Sequence, residues 1–586
     1  MKKYFVVFFA SLVLVSIFSF FPAFAAEVYY LGSSDSGSQG GEEVPPANFQ
    51  QRLKDFVNFK DYGSYQPNRS GQLSGTILSQ MTWQDTSGNI SKSFLERGWD
   101  YLQEINLQAW ERLWAGYKIE SRAFMRKTDD RQIEKRRDVR LKDLNIAIYN
   151  DRNRVEFGDF YSEFSQFTLG ASLEGFQAQI EPLKGQKIKA VAARSQKEDI
   201  TTARYERHVA GGQLDLSLLR DFWWFSLVRL AAQAVTNQDD SSNGWRLAPS
   251  GTVTQDLENT VVGLLGEVVM KKYFTMVYEV ARSRYQADED STRYSDHQSI
   301  YGTAFRLQPQ FTTKWVTFKY LYYWVQPGFY TDVGSASPDK LQHQFSVDIT
   351  PFDKLTLSLV ENWYRDHLEH SARAYQTEND EKYITLTLRP FDSRRDFSLR
   401  NYWNYFQRGS DNPQNSVEAY TTTLGTSVND RIWNTTVSGR YEYRAYEDEG
   451  NSKASSDYFN RFGFSGSRDT IVFGRRWYFS GDYAVDIRNT KTDDDNDLSG
   501  TLSLNTQYDL HTRLTLRAGY NLVNQNSVAP NGDSLNTRNF FETDLLVNKK
   551  RGSRITVRYE RNIYNHEDFT QDYNESRVIT KFASPF

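Results

Sequence analysis

The sequence predicts an all-β chain, a single transmembrane antiparallel up-and-down β-barrel of about 26 strands within a range of roughly 22–26. Three observations predict it. Apolar and polar residues alternate with period two through most of the chain, short and long gaps between those segments alternate in turn, and aromatic content is high in an otherwise polar protein. The mean hydropathy is −0.66, yet 15% of the 586 residues are Phe, Trp or Tyr, with 36 Tyr. After the first residues no run approaches the ~20 apolar residues of a membrane helix. A wide barrel accommodates both facts, because each strand turns only every second side chain to lipid and keeps a polar lumen face.

Taken in order, the chain opens with Lys2 and Lys3, an apolar run from Tyr4 to Phe21, the helix-breaking Pro22, and Ala23-Phe24-Ala25. This is the layout of a cleaved secretory signal peptide over 1–25, with the mature chain starting near Glu27. Residues 26–71 read as a flexible leader, Gly/Ser-rich from Leu31 to Pro46. Within it Phe49, Leu53, Phe56 and Val57 share one face of a short amphipathic helix. That helix has three readings: a packing element over the first strands, a small plug in the barrel mouth, or a periplasmic tether for a partner.

The barrel is expected over 72–586. Leu502, Leu504 and Tyr508 alternate with Ser503, Asn505 and Gln507. Leu514, Leu516, Ala518, Tyr520 and Leu522 alternate with Thr515, Arg517, Gly519 and Asn521. The same pattern sets Phe274, Met276, Tyr278 and Val280 against Thr275 and Glu279, and Trp433, Val437, Tyr441 and Tyr443 against Asn434, Ser438, Arg440 and Glu442. Tight connections are expected at 150–153, 182–186, 219–221, 270–272, 351–354, 429–431, 467–470, 509–512 and 548–553. Between them fall longer polar gaps such as 237–259, 326–340, 366–380, 489–497 and 524–535. Short periplasmic turns alternating with long external loops are what a membrane barrel requires. The odd place is Phe157 to Phe167, where an external loop is due and few polar residues intervene; one reading is a hairpin bent into the lumen.

The final strand sets Val578, Phe582 and Phe586 on one side and Arg577 and Lys581 on the other. This aromatic ending resembles the carboxyl terminus of bacterial outer-membrane β-barrel proteins, although Thr580, Ser584 and Pro585 depart from the family's preference. The resemblance implies a Gram-negative outer-membrane location. It also implies that Phe586 and Phe582 form an assembly signal read by the barrel-assembly machinery, with membrane lipid and lipopolysaccharide as surroundings.

Several function classes close. There is no Cys, hence no disulfide, lipid-attachment Cys, haem-attachment motif or thiolate metal site. A net charge of −4 with dispersed Lys and Arg carries no nucleic-acid footprint. The run Asp493 to Asp497 begins like a calcium loop, but Leu498 and Leu504 stand where that motif needs Gly and Glu. No Gly-x-Ser-x-Gly or His-Glu-x-x-His occurs, and His367, Glu369 and His370 share one side only on a helix. No enzyme, cofactor or metal is expected.

Function then rests on lumen and loops. Alternation gives Lys319, Arg400, Arg440, Glu442, Asp482, Arg517, Arg554, Arg558 and Glu560 as lumen-lining candidates, with Glu279 on the same face of its strand. Their mixed signs argue against strong ion selectivity, and pairing across strands is an equally direct use for them. The expected function is a porin-like channel passing small hydrophilic solutes through a polar lumen. The alternative is a barrel sheath in a multi-protein conduit across the outer membrane: size and strand number are similar to the barrels of porin-cytochrome conduits, which enclose an electron-transfer cytochrome. That reading brings a periplasmic or lumen protein partner. A siderophore-type receptor would need a larger plug domain than the leader provides.

Overall fold

The structure is a computed structural model. It describes residues 71–586 apart from 94, 96, 114–115, 131–132, 134–137, 197–205, 241–256, 288–298, 369–374, 395, 411–417, 450–455, 491–495 and 528–531. The expected signal peptide, leader and leader helix lie outside the described residues.

Twenty-six strands form one sheet. The first nine are β1 (Gly71–Gly88), β2 (Gly98–Arg112), β3 (Lys118–Thr128), β4 (Arg140–Tyr149), β5 (Arg154–Ser165), β6 (Leu169–Leu183), β7 (Gln186–Gln196), β8 (Glu206–Phe222) and β9 (Phe225–Asp240). Next come β10 (Leu257–Met270), β11 (Phe274–Ala287), β12 (Ile300–Thr312), β13 (Val316–Val325), β14 (Lys340–Phe352), β15 (Leu355–Asp366), β16 (Thr377–Leu388), β17 (Ser398–Ser410) and β18 (Glu418–Ile432). The last are β19 (Thr435–Asp448), β20 (Asp457–Val472), β21 (Arg475–Thr490), β22 (Asn496–His511), β23 (Leu514–Asn526), β24 (Ser534–Asn548), β25 (Ser553–His566) and β26 (Tyr573–Pro585).

Each strand pairs antiparallel with its sequence neighbours, and β1 also pairs with β26, from Thr76↔Pro585 to Gly88↔Tyr573. The sheet is therefore a closed barrel. The last backbone bonds of the closure lie between Phe586 and Gly75: the Gly75 N–H donates to the Phe586 carbonyl at 3.2 Å, and the Phe586 N–H donates to the Gly75 carbonyl at 3.0 Å. The Phe586 ring lies over Gly75, in the space a Cβ would need.

Alternation sorts the faces as expected. Phe462, Phe464, Tyr483, Phe541, Val557 and Tyr559 lie exposed on one face, and Arg461, Asp486, Glu542 and Glu560 pair on the other. The apolar face is the outer one. Drawn round at a strand spacing of ~4.8 Å and a tilt of ~40°, such a barrel measures roughly 50 Å across.

Three periplasmic turns sit later than expected. The connections placed at 219–221, 429–431 and 467–470 are really Trp223-Trp224, Trp433-Asn434 and Phe473-Gly474, so β8, β18 and β20 run on by several residues. Trp433 and Asn434, assigned above to a strand, are the two central residues of a hairpin turn with φ of 48° and 62°. Large aromatics occupy left-handed positions that Asn and Gly usually fill. External gaps are shorter than read: Asn237 and Asn259 lie inside β9 and β10, β16 begins at Thr377, β21 runs to Thr490 and β22 begins at Asn496, and β23 runs to Asn526 and β24 begins at Ser534.

The closure contact yields a test. Replacing Gly75 with Leu forces a side chain into the Phe586 ring and the Asn106 carbonyl, an overpacking cost of ~1–3 kcal/mol. Gly75→Leu should lower the urea midpoint of the detergent-refolded barrel and the fraction that migrates as a folded band on unheated gels. An unchanged midpoint would show that closure does not rely on this contact.

Candidate functional site: the lumen and its inward hairpin

The stretch that lacked an external loop is a hairpin bent into the lumen. β5 and β6 pair with each other from Arg154↔Gln179 to Ser165↔Leu169. β4 and β5 pair only over five positions, from Tyr149↔Arg154 to Asn145↔Gly158, and β6 joins β7 only up to Glu174↔Arg194. Beyond these points the two strands leave the wall together. Glycine makes the bend possible: Gly158 has φ of 93°, and a Cβ there would collide with the Leu144 carbonyl oxygen. At Gly175, its partner in register, a Cβ would press on the Ala192 carbonyl and on Ala193.

The hairpin turns its apolar face onto the wall. Phe160, Phe164, Leu169 and Leu173 pack on Val191, Val209 and Val235 of β7, β8 and β9. On the opposite face Tyr161, Glu163 and Ser172 are exposed toward the open lumen.

The tip meets a second infolded segment. The connection 326–339 between β13 and β14, expected to be a solvated external gap, lies against the inner wall with Phe329 and Val333 buried. Phe167 at the hairpin tip packs on Tyr323 and Phe329, with ring centroids 5.6 and 5.8 Å apart. The two segments also bond directly. The Gly170 N–H donates to the Val333 carbonyl at 2.7 Å, and the Ser335 N–H donates to the Gln166 carbonyl at 2.9 Å.

Buried polar groups on the wall hold both segments, as burial requires. Glu279 of β11, 1% exposed, accepts from the Phe167 N–H at 3.1 Å. Arg306 donates to the Gln166 side chain at 3.0 Å, and Gln233 donates to Ser165 at 2.7 Å. Arg207 forks onto Asp239 at 2.6 and 2.8 Å and lies 3.6 Å from Asp332 of the connection. Asn237 donates to Asp332, and Asn259 to the Tyr330 carbonyl, both at 2.9 Å. Among the described residues, the infolded layer covers the inner wall from β7 to β13.

The rest of the wall carries charge ladders. Arg517 contacts Glu542 at 2.5 Å and Asp544 at 3.7 Å, and Arg554 contacts Asp544 at 3.1 Å. Arg558 bridges Glu542 at 3.3 Å and Glu560 at 2.5 Å, and Glu560 also receives Arg577 and Arg538 at 2.7 and 3.3 Å. Four of the residues singled out by alternation, Arg517, Arg554, Arg558 and Glu560, therefore belong to one network over β23–β26. Five arginines face three carboxylates in it, an excess of two positive charges. A hollow of about 110 Å³ on this wall is lined by Arg538, Glu560, Arg561, Asn562, Glu575 and Arg577.

The other candidates are placed separately. Arg400 donates to the Tyr383 hydroxyl at 2.8 Å, Glu442 accepts from the Tyr402 hydroxyl, and Arg440 lies against Gly463. Asp482 stands opposite Ser465 and Ser503, and Lys319 opposite Gln310 and Ser346. Alternation did not single out Arg207, Asp239, Asp332 or Arg306 from the other charged residues, because their partners lie up to 140 residues away.

Among the described residues no three His, Asp or Glu side chains are placed to hold a metal ion. His367 lies 3.8 Å from Asp339, whereas Glu369, His370 and Asp493 to Asp495 lie outside the described residues.

Closed topology and an apolar outer face define a large transmembrane β-barrel of the outer-membrane type. No protein-family model matches the chain, and no curated protein sequence matches it. Among solved structures it is similar to the translocation pore of the P pilus usher PapC at 8% identity and a TM-score of 0.34, covering 87% of this chain and 99% of that one. The siderophore receptor PirA from Pseudomonas aeruginosa aligns at 10% identity and 0.39, covering 88% and 80%. The outer membrane protein OprD from Pseudomonas aeruginosa aligns at 10% and 0.32, covering 64% and 94%. Likeness at this level carries no function across, so the barrel's own geometry must supply the functional reading.

Cutting the ion pair tests the anchoring of the layer. Arg207→Ala leaves Asp239 buried without its fork, a loss of ~3–5 kcal/mol for a broken buried pair. Chymotrypsin, to which Phe329 is inaccessible in the parent barrel, should then cleave after Phe329 while the barrel band survives. Continued protection would assign the anchoring to Glu279 and the apolar contacts alone.

Proposed function

We propose that the protein is an outer-membrane channel for small hydrophilic solutes, narrowed rather than filled by its inward hairpin. One observation carries this reading. The infolded layer covers one arc of the inner wall, whereas the described inner faces of β14–β26 and β1–β3 display polar and charged side chains, many of them paired along the wall itself. A polar wall with satisfied charges is compatible with a water-filled passage and favours solutes that keep their hydration. The mixed signs of the β23–β26 ladder support weak selectivity, tilted toward anions by its two excess arginine charges. No chemistry is assigned to the lumen.

The carboxyl-terminal pair Phe582 and Phe586 serves in this proposal as the signal for the barrel-assembly machinery, and the apolar outer face as the contact with lipid and lipopolysaccharide. The second reading, a sheath around a protein partner, draws on width alone, since twenty-six strands exceed what sieving small solutes demands.

Planar-bilayer recording separates the two. The refolded chain should give steady open current, and replacing residues 160–173 with a short Gly-Ser turn should raise single-channel conductance about two- to threefold as the lumen widens. Silence in both forms, relieved only by a periplasmic protein fraction, would overturn the channel and favour the sheath.

A further inference from the structure

The bend that narrows the lumen also takes two strands out of the wall. Past Asn145, β4 continues from Leu144 to Arg140 against β3, and past Arg194, β7 continues through Gln196 against β8. The strands that separated β4 from β7 lower down have left, and no β4–β7 ladder replaces them among the described residues. Three strand spacings separate β4 from β7 at the bend, about 14 Å. Between Leu144–Arg140 of β4 and the described end of β7 at Ser195 and Gln196, the wall therefore has a seam.

Its height places it within the membrane. Five residues of β5, Arg154 to Gly158, rise from the periplasmic turn before the bend. At ~3.3 Å per residue and a tilt of ~40° they climb roughly 13 Å, about half of the ~25 Å apolar band. On the β4 side the seam thus opens in the external half of that band, whereas on the β7 side, where β6 stays paired over nine residues from Gln186 to Arg194, it begins near the external edge of the band. Its sill is an outward aromatic pair, Phe157 and Phe176, with ring centroids 5.2 Å apart.

The two sides of the seam differ in chemistry. On the β4 side, Leu141 and Leu144 are 54% and 36% exposed on the outer surface. On the lumen side stand the Arg122–Asp143 ion pair at 3.0 Å and the hairpin's Tyr161, 61% exposed, with Glu163 beside it. At the foot, the Asp159 carboxylate accepts the Leu144 N–H at 2.8 Å, in place of a ladder bond, and Asn145 donates to the Asp159 carbonyl at 2.9 Å. Non-ladder backbone at membrane depth is tolerated where it borders water, and the lumen supplies that water here.

We propose that this seam is a lateral portal, through which an amphipathic molecule passes between the lumen and the outer leaflet with its apolar tail toward Leu141 and Leu144 and its polar head toward Tyr161 and the Arg122–Asp143 pair. The portal does not depend on the solute-channel reading, because it is a property of the wall and is tested without conductance.

The natural absence of Cys makes a clean test possible. Tyr161→Cys and Ser503→Cys, the latter on the inner face of β22, are each labelled with a small fluorophore and reconstituted in lipid brominated at mid-chain; only barrels that run as folded on unheated gels are read. The portal predicts severalfold stronger quenching at position 161 than at 503, although both face the lumen. Equal, weak quenching would overturn it. A long-chain carboxylate with a photoreactive tail provides the second arm: label within residues 159–174 supports passage, and label confined to outward strand residues overturns it.

Discussion

A strand inside a bilayer has no water to satisfy its backbone, so every amide must find its partner in another strand. For the two terminal strands of an up-and-down sheet this demand is met only if the first strand meets the last, and the pairing of β1 with β26 meets it. The other features of the barrel rest on that closure. It fixes which face looks out, because register along twenty-six strands propagates a single choice of parity. It also explains why Gly75 is glycine: the terminal Phe586 must lie across it for the last ladder bonds to form.

With the perimeter fixed, the interior has to be narrowed from within, and the chain does so with wall material. The hairpin of β5 and β6 folds its apolar face onto β7–β9, and the 326–339 connection closes over its tip. Apolar contact alone would leave such a layer free to slide. Directional bonds from Glu279, Gln233, Arg306, Arg207 and Asn259 fix its register, each serving a backbone or side-chain group that burial has removed from water. The constriction is accordingly a built part of the wall rather than a loop resting on it.

Much of this was legible in the residues themselves. Period-two alternation identified the strands and their polar face because one face meets lipid, a constraint that acts on every second residue regardless of distant contacts. The bent hairpin was detectable as a missing loop between Phe157 and Phe167. Turn positions failed where Trp223, Trp433 and Phe473 occupy left-handed positions, since the expected Gly or Asn signal is replaced by an aromatic that looks like strand. The connection after β13 was opaque for a different reason. Its composition is that of a solvated loop, and the groups that anchor it, the side chains of Phe329, Val333 and Asp332 and the Tyr330 carbonyl, do so through partners remote in the chain. Likewise the alternation that placed Arg517, Arg558 and Glu560 on one face says nothing of which carboxylate each will meet.

Narrowing the lumen and opening the seam are one structural event seen from two sides, because the strands missing from the wall are the strands that occupy the interior. Gly158 and Gly175 lie opposite one another at the bend, so neither strand can return to the wall without the other. A sealed wall would therefore imply an emptier lumen, and a narrowed lumen an open seam. The hydrogen bonds at the two ends of the hairpin, Asp159 with Leu144 at its foot and Glu279 with Phe167 at its tip, both favour the narrowed, open form. On the proposed reading, the route along the barrel axis and the route through its side are thus linked by the same few bonds.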